Sequence, residues 1–155
     1  KYKDKISLII SETDEGLYKE SDSNKKVADL KERLSIIKES GCMFALSIHQ
    51  NSYRDEKVKG AQTFYYSSSK DGKKLAEIIQ EGIVGNVDTT NHRKAKGNDS
   101  YYLLKKTSVP LVIVECGFLS NPDEAMLLTT DDYQRKLVKQ ITESVMEYIG
   151  LVNQG

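Results

Sequence analysis

Leu111-Val112-Ile113-Val114 is a run of four branched apolar residues that stops on a carboxylate, Glu115, followed by Cys116 and Gly117. Such a run fits a strand buried on both faces. Phe44-Ala45-Leu46-Ser47-Ile48 repeats the grammar and stops at His49, with Gln50, Asn51 and Ser52 behind it. Ile6 to Ile10 reads as a further strand, and Ala61 to Tyr66 as another on its aromatic and β-branched content. Elsewhere the apolar period changes to three and four. Val27, Leu30, Leu34 and Ile37 mark a helix over Asn24–Glu39, with Ser21, Asp22 or Ser23 as caps and Gly41 to end it. Leu75, Ile78, Ile79 and Ile83 mark a second over Lys70–Val84, capped by Ser69 or Asp71 and weakened in its last turn by Gly82. Asn121-Pro122-Asp123-Glu124 opens a short helix through Leu128: Asn121 as N-cap, Pro122 first, Glu124 closing a capping box. Tyr133, Leu137, Ile141, Val145 and Ile149 mark a last helix from Asp131 or Asp132 to about Tyr148, capped by Thr130 and ended by Gly150.

Strands alternating with one-sided helices predict a three-layer α/β fold: a mostly parallel twisted sheet flanked by helices, with a right-handed crossover between Ile6–Ile10 and the Phe44 strand. Pro110 sits where a first strand position tolerates it. The strands are few for such a sheet, and Lys1 to Lys5 reads as the trailing end of something. We therefore expect an opening strand and helix before Lys1. Gly85 to Lys106 is the least periodic part, long for a loop. It is either a functional loop or a solvated excursion anchored at Tyr102 to Leu104.

With 155 residues and 38% apolar content, the chain can build one ordinary core. Lys plus Arg and Asp plus Glu are both 23, so no net field draws it to nucleic acid or an anionic membrane. No run approaches a membrane span. Cys42 and Cys116 fall at opposite ends of their strands, too far apart for a disulfide, and both read as small buried residues.

If the two strands that stop at His49 and Glu115 are parallel neighbours, both residues share one rim of one sheet, where open α/β sheets place chemistry. A histidine and a carboxylate there suit a metal hydrolase, or a hydrogen-bonded pair stiffening the sheet, or, for Glu115, a solvated strand end. One histidine cannot hold zinc, which takes three protein ligands in catalytic sites. His92 is the other histidine and, in the basic run His92-Arg93-Lys94-Ala95-Lys96, reads as surface. Asn51 and Ser52 could orient the imidazole or contact substrate amides. No nucleophile elbow or phosphate-cradling glycine loop is visible.

Ser47-Ile48-His49-Gln50-Asn51-Ser52, then Gly60 and Tyr65-Tyr66, then Pro110 and Val114-Glu115-Cys116-Gly117-Phe118-Leu119-Ser120-Asn121-Pro122-Asp123-Glu124 resemble the zinc-dependent N-acetylmuramoyl-L-alanine amidases. The likeness covers nearly the whole chain, and the compact form is similar to the spore-cortex type. The resemblance implies hydrolysis of the amide between N-acetylmuramic acid and L-alanine in peptidoglycan. His49 matches a histidine zinc ligand and Glu115 the catalytic glutamate. It also implies an extracytoplasmic setting: secreted, wall-associated or in the forespore intermembrane space. Arg33 and Arg93 stand where the family often carries arginine and receive no role. Two departures stand out. Ser11 and Glu12 replace the family's threonine and arginine. The other two zinc ligands have no match and are expected upstream of Lys1, so residues 1–155 read as the C-terminal major portion of a single amidase catalytic domain. The alternative is a non-catalytic peptidoglycan-binding or scaffold module with an incomplete zinc site. In either case the sheet edge left open calls for a cover: the N-terminal segment, a second copy, or a protein partner.

Overall fold

The computed structural model describes residues 24–153; the Ile6–Ile10 strand and the Ser21–Ser23 caps lie outside them. Nine elements follow in order. Helix α1 (Lys25–Glu39) leads to β1 (Ala45–Asn51), β2 (Gln62–Tyr65), α2 (Lys70–Asn86), β3 (Lys96–Gly97), α3 (Tyr102–Lys106), β4 (Leu111–Phe118), α4 (Pro122–Leu128) and α5 (Asp131–Val152). The sheet order is β1-β4-β2-β3. β1 runs parallel to β4 and β2 parallel to β3, while β2 and β4 are antiparallel. The sheet is therefore α/β as expected and mixed, its one antiparallel pairing lying at the centre.

All eight residues of β4 are buried. The pleat sends them alternately to two faces. Val112, Val114 and Cys116 pack with Leu75, Ile79 and Ile83 of α2 and Leu137, Ile141 and Tyr148 of α5. Leu111 and Ile113 pack with Phe64, with Leu103 and Leu104 of α3, and against Leu30, Leu34 and Ile37 of α1. Those are the three layers. β4 also continues three residues past Glu115, so the glutamate is an interior strand residue rather than a solvated strand end. The backbone ladder carries it on along β1, where Asn51 pairs with Phe118 and the Asn51 carbonyl accepts Leu119 N–H at 2.8 Å.

Local chemistry explains the helix ends. Asn24 caps α1 through Val27 N–H at 3.2 Å, and Gly41 takes φ 60° just after it. Ser69, not Asp71, caps α2 at Gly72 N–H, 3.0 Å. Thr130 is the N-cap residue of α5, yet its hydroxyl donates to Leu127 O at 2.8 Å and caps nothing. Nor does Gly150 end α5, which runs on to Val152; a glycine costs a helix only about 1 kcal/mol, which the continuing ladder offsets. In the stretch without clear periodicity, Leu103 and Leu104 are buried in α3, and the two-residue β3 extends the sheet.

β3 is too short to cover β2, and a side chain completes the edge. Gln80, buried on α2, accepts Thr63 N–H at 2.8 Å and donates to Ala61 O at 3.1 Å, occupying the place of a strand backbone. Gly82 lies at the closest approach of α2 to α5. A Cβ there would stand 2.6 Å from Ser144 Oγ and against the Gln140 amide, whereas one at Gly85 would meet nothing within 4 Å. Packing, not helix propensity, chose the first glycine. Gly82→Ala should therefore lower stability by about 1 kcal/mol, overpacking outweighing the propensity gain, and Gly85→Ala should raise it by about 0.5–1 kcal/mol. Thermal melts of the two variants, expected to move in opposite directions, check this.

Candidate functional site

The parallel register sets His49 opposite Glu115, with Ser47 opposite Ile113 and Ala45 opposite Leu111. Opposed residues share a face, so His49 and Glu115 stand side by side on the face that carries α1 and α3. On the other flank the antiparallel register sets Gln62 opposite Glu115 and Phe64 opposite Ile113. Three side chains on three strands thus form one row: His49, Glu115, Gln62. Just beyond the row β4 holds one extra residue, since His49 pairs with Glu115 but Asn51 with Phe118. A bulge of this kind bends the strand and returns Phe118 to the same face.

Glu115 is buried and its Oε2 has no hydrogen-bond partner. Buried polar atoms are nearly always paired, so an orphan carboxylate oxygen is a reason to look for function. Burial holds its pKa above the ordinary carboxylate value. Beside it, Cys116 is pushed up to about 11, by burial first and by the Glu115 charge second. Tyr101, packed edge-on to Phe64 at 5.6 Å, is raised by the same two causes. The His49 ring is exposed at its outer side, and its Nε2 lies 2.6 Å from Ser47 Oγ. Desolvation, then the Arg33 guanidinium, lower its pKa and favour the neutral imidazole, the form that can ligate a metal. Arg33 is held on α1 by Asp29 at 2.7 Å.

The rim beyond Glu115 is tied down by a second buried acid. Glu124 Oε1 accepts Gly60 N–H and its Oε2 accepts Phe118 N–H, each at 2.8 Å. Asn121 Oδ1 accepts Glu124 N–H at 3.0 Å, as a capping box requires, but the glutamate side chain does not return to the cap. Instead it clamps the chain just before β2 to the end of β4, both just beyond Glu115. Gly117 admits this: a Cβ there would stand 3.3 Å from the Glu124 carboxylate and from Leu128.

Arg93 supports the far end of the row. Its Nη1 donates to Gln62 Oε1 at 3.0 Å and its Nε to Lys59 O at 2.8 Å, and its guanidinium lies 5.0 Å above the Phe118 ring. Gln62 Nε2 donates in turn to Lys94 O at 3.0 Å. Sequence patterning gave no sign of Gln62 or Tyr101, because their place depends on which strands are neighbours. His92 is exposed in the loop that leads to β3 and is not among the residues of the row. Among the described residues, no three His, Cys, Asp or Glu side chains converge as a metal site. The row alone offers one imidazole and one unpartnered carboxylate.

Residues 5–147 match the N-acetylmuramoyl-L-alanine amidase family. The chain is 37% identical over 126 residues to the germination-specific N-acetylmuramoyl-L-alanine amidase of Bacillus subtilis, covering 81% of this chain and 53% of that protein. It is 28% identical over 130 residues to the B. subtilis amidase LytC, covering 83% of this chain and 26% of that one. It thus spans about half the length, or less, of these curated relatives. Its fold superposes on the CwlD amidase of Clostridioides difficile, solved in complex with the GerS lipoprotein, with a TM-score of 0.85 at 40% identity, over 90% of this chain and 73% of that one.

A carboxyl whose folded-state pKa is raised binds its proton more tightly when folded, so its ionisation costs stability as pH rises from the unfolded value through the folded one. In metal-free protein, Glu115→Gln should therefore melt higher than the parent at pH 7–8, by about 2 °C. The gain should shrink to nothing by about pH 4, near the unfolded carboxyl value. Melts across that pH range are the measurement, and a lower-melting variant at pH 8 would contradict the burial argument.

Proposed function

The chain belongs to the N-acetylmuramoyl-L-alanine amidase family, and from that membership we propose that it hydrolyses the amide between N-acetylmuramic acid and L-alanine in bacterial peptidoglycan. Residues 1–155 are, in this reading, the C-terminal major portion of a single catalytic domain. The observation that carries it is the buried, unpartnered Oε2 of Glu115 beside His49 on one face of the sheet. A carboxylate without a partner is poised to take a proton, and a pKa raised by burial makes it a stronger base.

The donor set fits a zinc ion in part. His49 would be one ligand of the three such a site needs, and the family likeness implies the other two upstream of Lys1; among the described residues no group of three converges. Bound zinc would supply Lewis acidity to the amide carbonyl and to water. The chain's own residues do the rest. Glu115 accepts the proton of the attacking water at Oε2 as the new C–O bond forms. The same carboxyl then gives that proton to the alanine nitrogen as the C–N bond breaks, leaving a lactyl carboxylate and a free amine. Desolvation, then Arg33, favours the neutral His49 ring, and Ser47 orients it.

The finer reading is an amidase of spore cortex peptidoglycan, acting outside the cytoplasm: secreted, wall-associated or in the forespore intermembrane space. It is supported by the likeness to a relative named as germination-specific. A protein partner also fits. β1 ends the sheet on one side among the described residues, with Ile48 56% and Met43 55% exposed. The similar CwlD amidase is known bound to a lipoprotein. A second reading rests on the incomplete ligand set: a peptidoglycan-binding or scaffold module without turnover.

In protein carrying the upstream ligands, Glu115→Gln should keep its zinc and lose at least about 100-fold in turnover on purified peptidoglycan, counted as new alanine N-termini. Near-normal turnover would remove Glu115 from the base role. His49→Ala should lose zinc by elemental analysis, and full occupancy would remove it from the ligand set. Retained peptidoglycan binding by the parent, with no zinc and no new N-termini, would select the module reading.

A further inference from the structure

Because β2 runs antiparallel to β4, its beginning lies at the rim where Glu115 sits. A hollow of about 310 Å³ opens there, lined by Lys59, Gly60, Asp88, Thr90, Asn91, His92 and Arg93. That volume lies at the lower end of ligand sites. Asn91 and Arg93 in its walls are held by hydrogen bonds, and its lining is mostly basic. Asn91 is locked between Ala61 O, 2.8 Å from its Nδ2, and Arg93 N–H, 3.0 Å from its Oδ1. Gly60, at φ 98°, lets the strand pass; a Cβ there would stand 2.7 Å from Asn91 Oδ1. The Arg93 guanidinium is fixed by Lys59 O and Gln62 Oε1. Lys59 is exposed and makes no ion pair among the described residues. The single acid, Asp88, turns its Oδ1 inward to Thr90 N–H at 3.0 Å and to the Thr90 hydroxyl at 2.7 Å. One fixed guanidinium, one exposed ammonium and an imidazole therefore line a cavity whose one carboxylate is already hydrogen-bonded.

We propose that this hollow is a carboxylate subsite for the peptide side of the substrate. The proposal rests on the amidase reading for the identity of that peptide. Arg93 joins the hollow to Gln62, and Gln62 is one strand spacing from Glu115. The span from Glu115 is then one to two spacings, roughly 5–10 Å. An extended peptide covers about 3.3–3.6 Å per residue, so the recognised carboxylate lies two or three residues from the cleaved amide. The hollow selects a free acid there over an amide, because an amide carries no charge to meet Lys59 and Arg93.

The test is binding, which does not require turnover. Short synthetic muramyl peptides are made with a glutamate two residues from the muramyl amide, as free acid or as side-chain amide, and titrated into the full 155-residue chain by NMR. The acid form should bind at least about fivefold tighter and move the Gly60 and Asn91–Arg93 resonances. Lys59→Glu, an exposed change, should abolish the preference. Equal affinity for both forms, a preference that survives Lys59→Glu, or shifts confined to other residues would overturn the subsite. Hydrolysis without acid preference would sink the subsite and leave the amidase reading standing. Acid preference without hydrolysis in ligand-complete protein would do the reverse.

Discussion

Strand β4 is buried on both faces and paired on both edges, and nearly everything else is placed by it. Val112 and Val114 are fully inaccessible between the sheet and the α2–α5 pair, while Leu111 and Ile113 seal the layer of α1 and α3. Each such side chain contributes about 1.5–3 kcal/mol of burial, so a slip of one residue would turn both sets toward the wrong layer. That register is what delivers Glu115 to the α1 and α3 face. It also explains why a carboxylate can be retained in a buried row: the strand cannot move to release it.

The stability cost of Glu115 comes from desolvating a carboxyl whose buried Oε2 has no partner, and its surroundings limit the spread of that cost. Glu124, equally buried, has both its oxygens satisfied by backbone N–H groups and ties together the two strand ends that flank the row. Two acids within ten residues therefore have opposite fates. One is fully bonded and braces the frame; the other is left without a partner. Environment alone separates them, as desolvation without compensation raises a carboxyl pKa and leaves it ready to exchange a proton.

The rim is asymmetric for a reason of topology. Parallel β1 brings the end of a strand, with His49 near it, while antiparallel β2 brings a beginning, with Gly60 and the Arg93 loop. A wholly parallel sheet would have offered only strand ends there. The mixed arrangement sets an exposed imidazole on one side of Glu115 and a fixed guanidinium on the other. Arg93 is held in turn by Gln80, whose amide also completes the unpaired edge of β2, so the helix behind the sheet takes part in ordering its front.

The helices were legible in the residues because their signals are local: the apolar steps of Val27 to Ile37 and Leu75 to Ile83, the Asn121-Pro122 start, the Ser69 cap. His49 and Glu115 were legible as candidates because each follows an apolar strand run, and the pattern of residues around them carried the family likeness. Sequence could not say that β2 would pair antiparallel to β4, that β4 would run on to Phe118, or that α5 would pass through Gly150. Those outcomes turn on hydrogen bonds and packing between residues far apart in the chain. Gln62, Gln80 and Tyr101 carry no local signal for that reason, and the sequence context of Glu124 is that of a helix cap although its carboxylate spans to Gly60, 64 residues away. Local propensity chose the elements; the exchange of burial and backbone partners across the sheet chose the site.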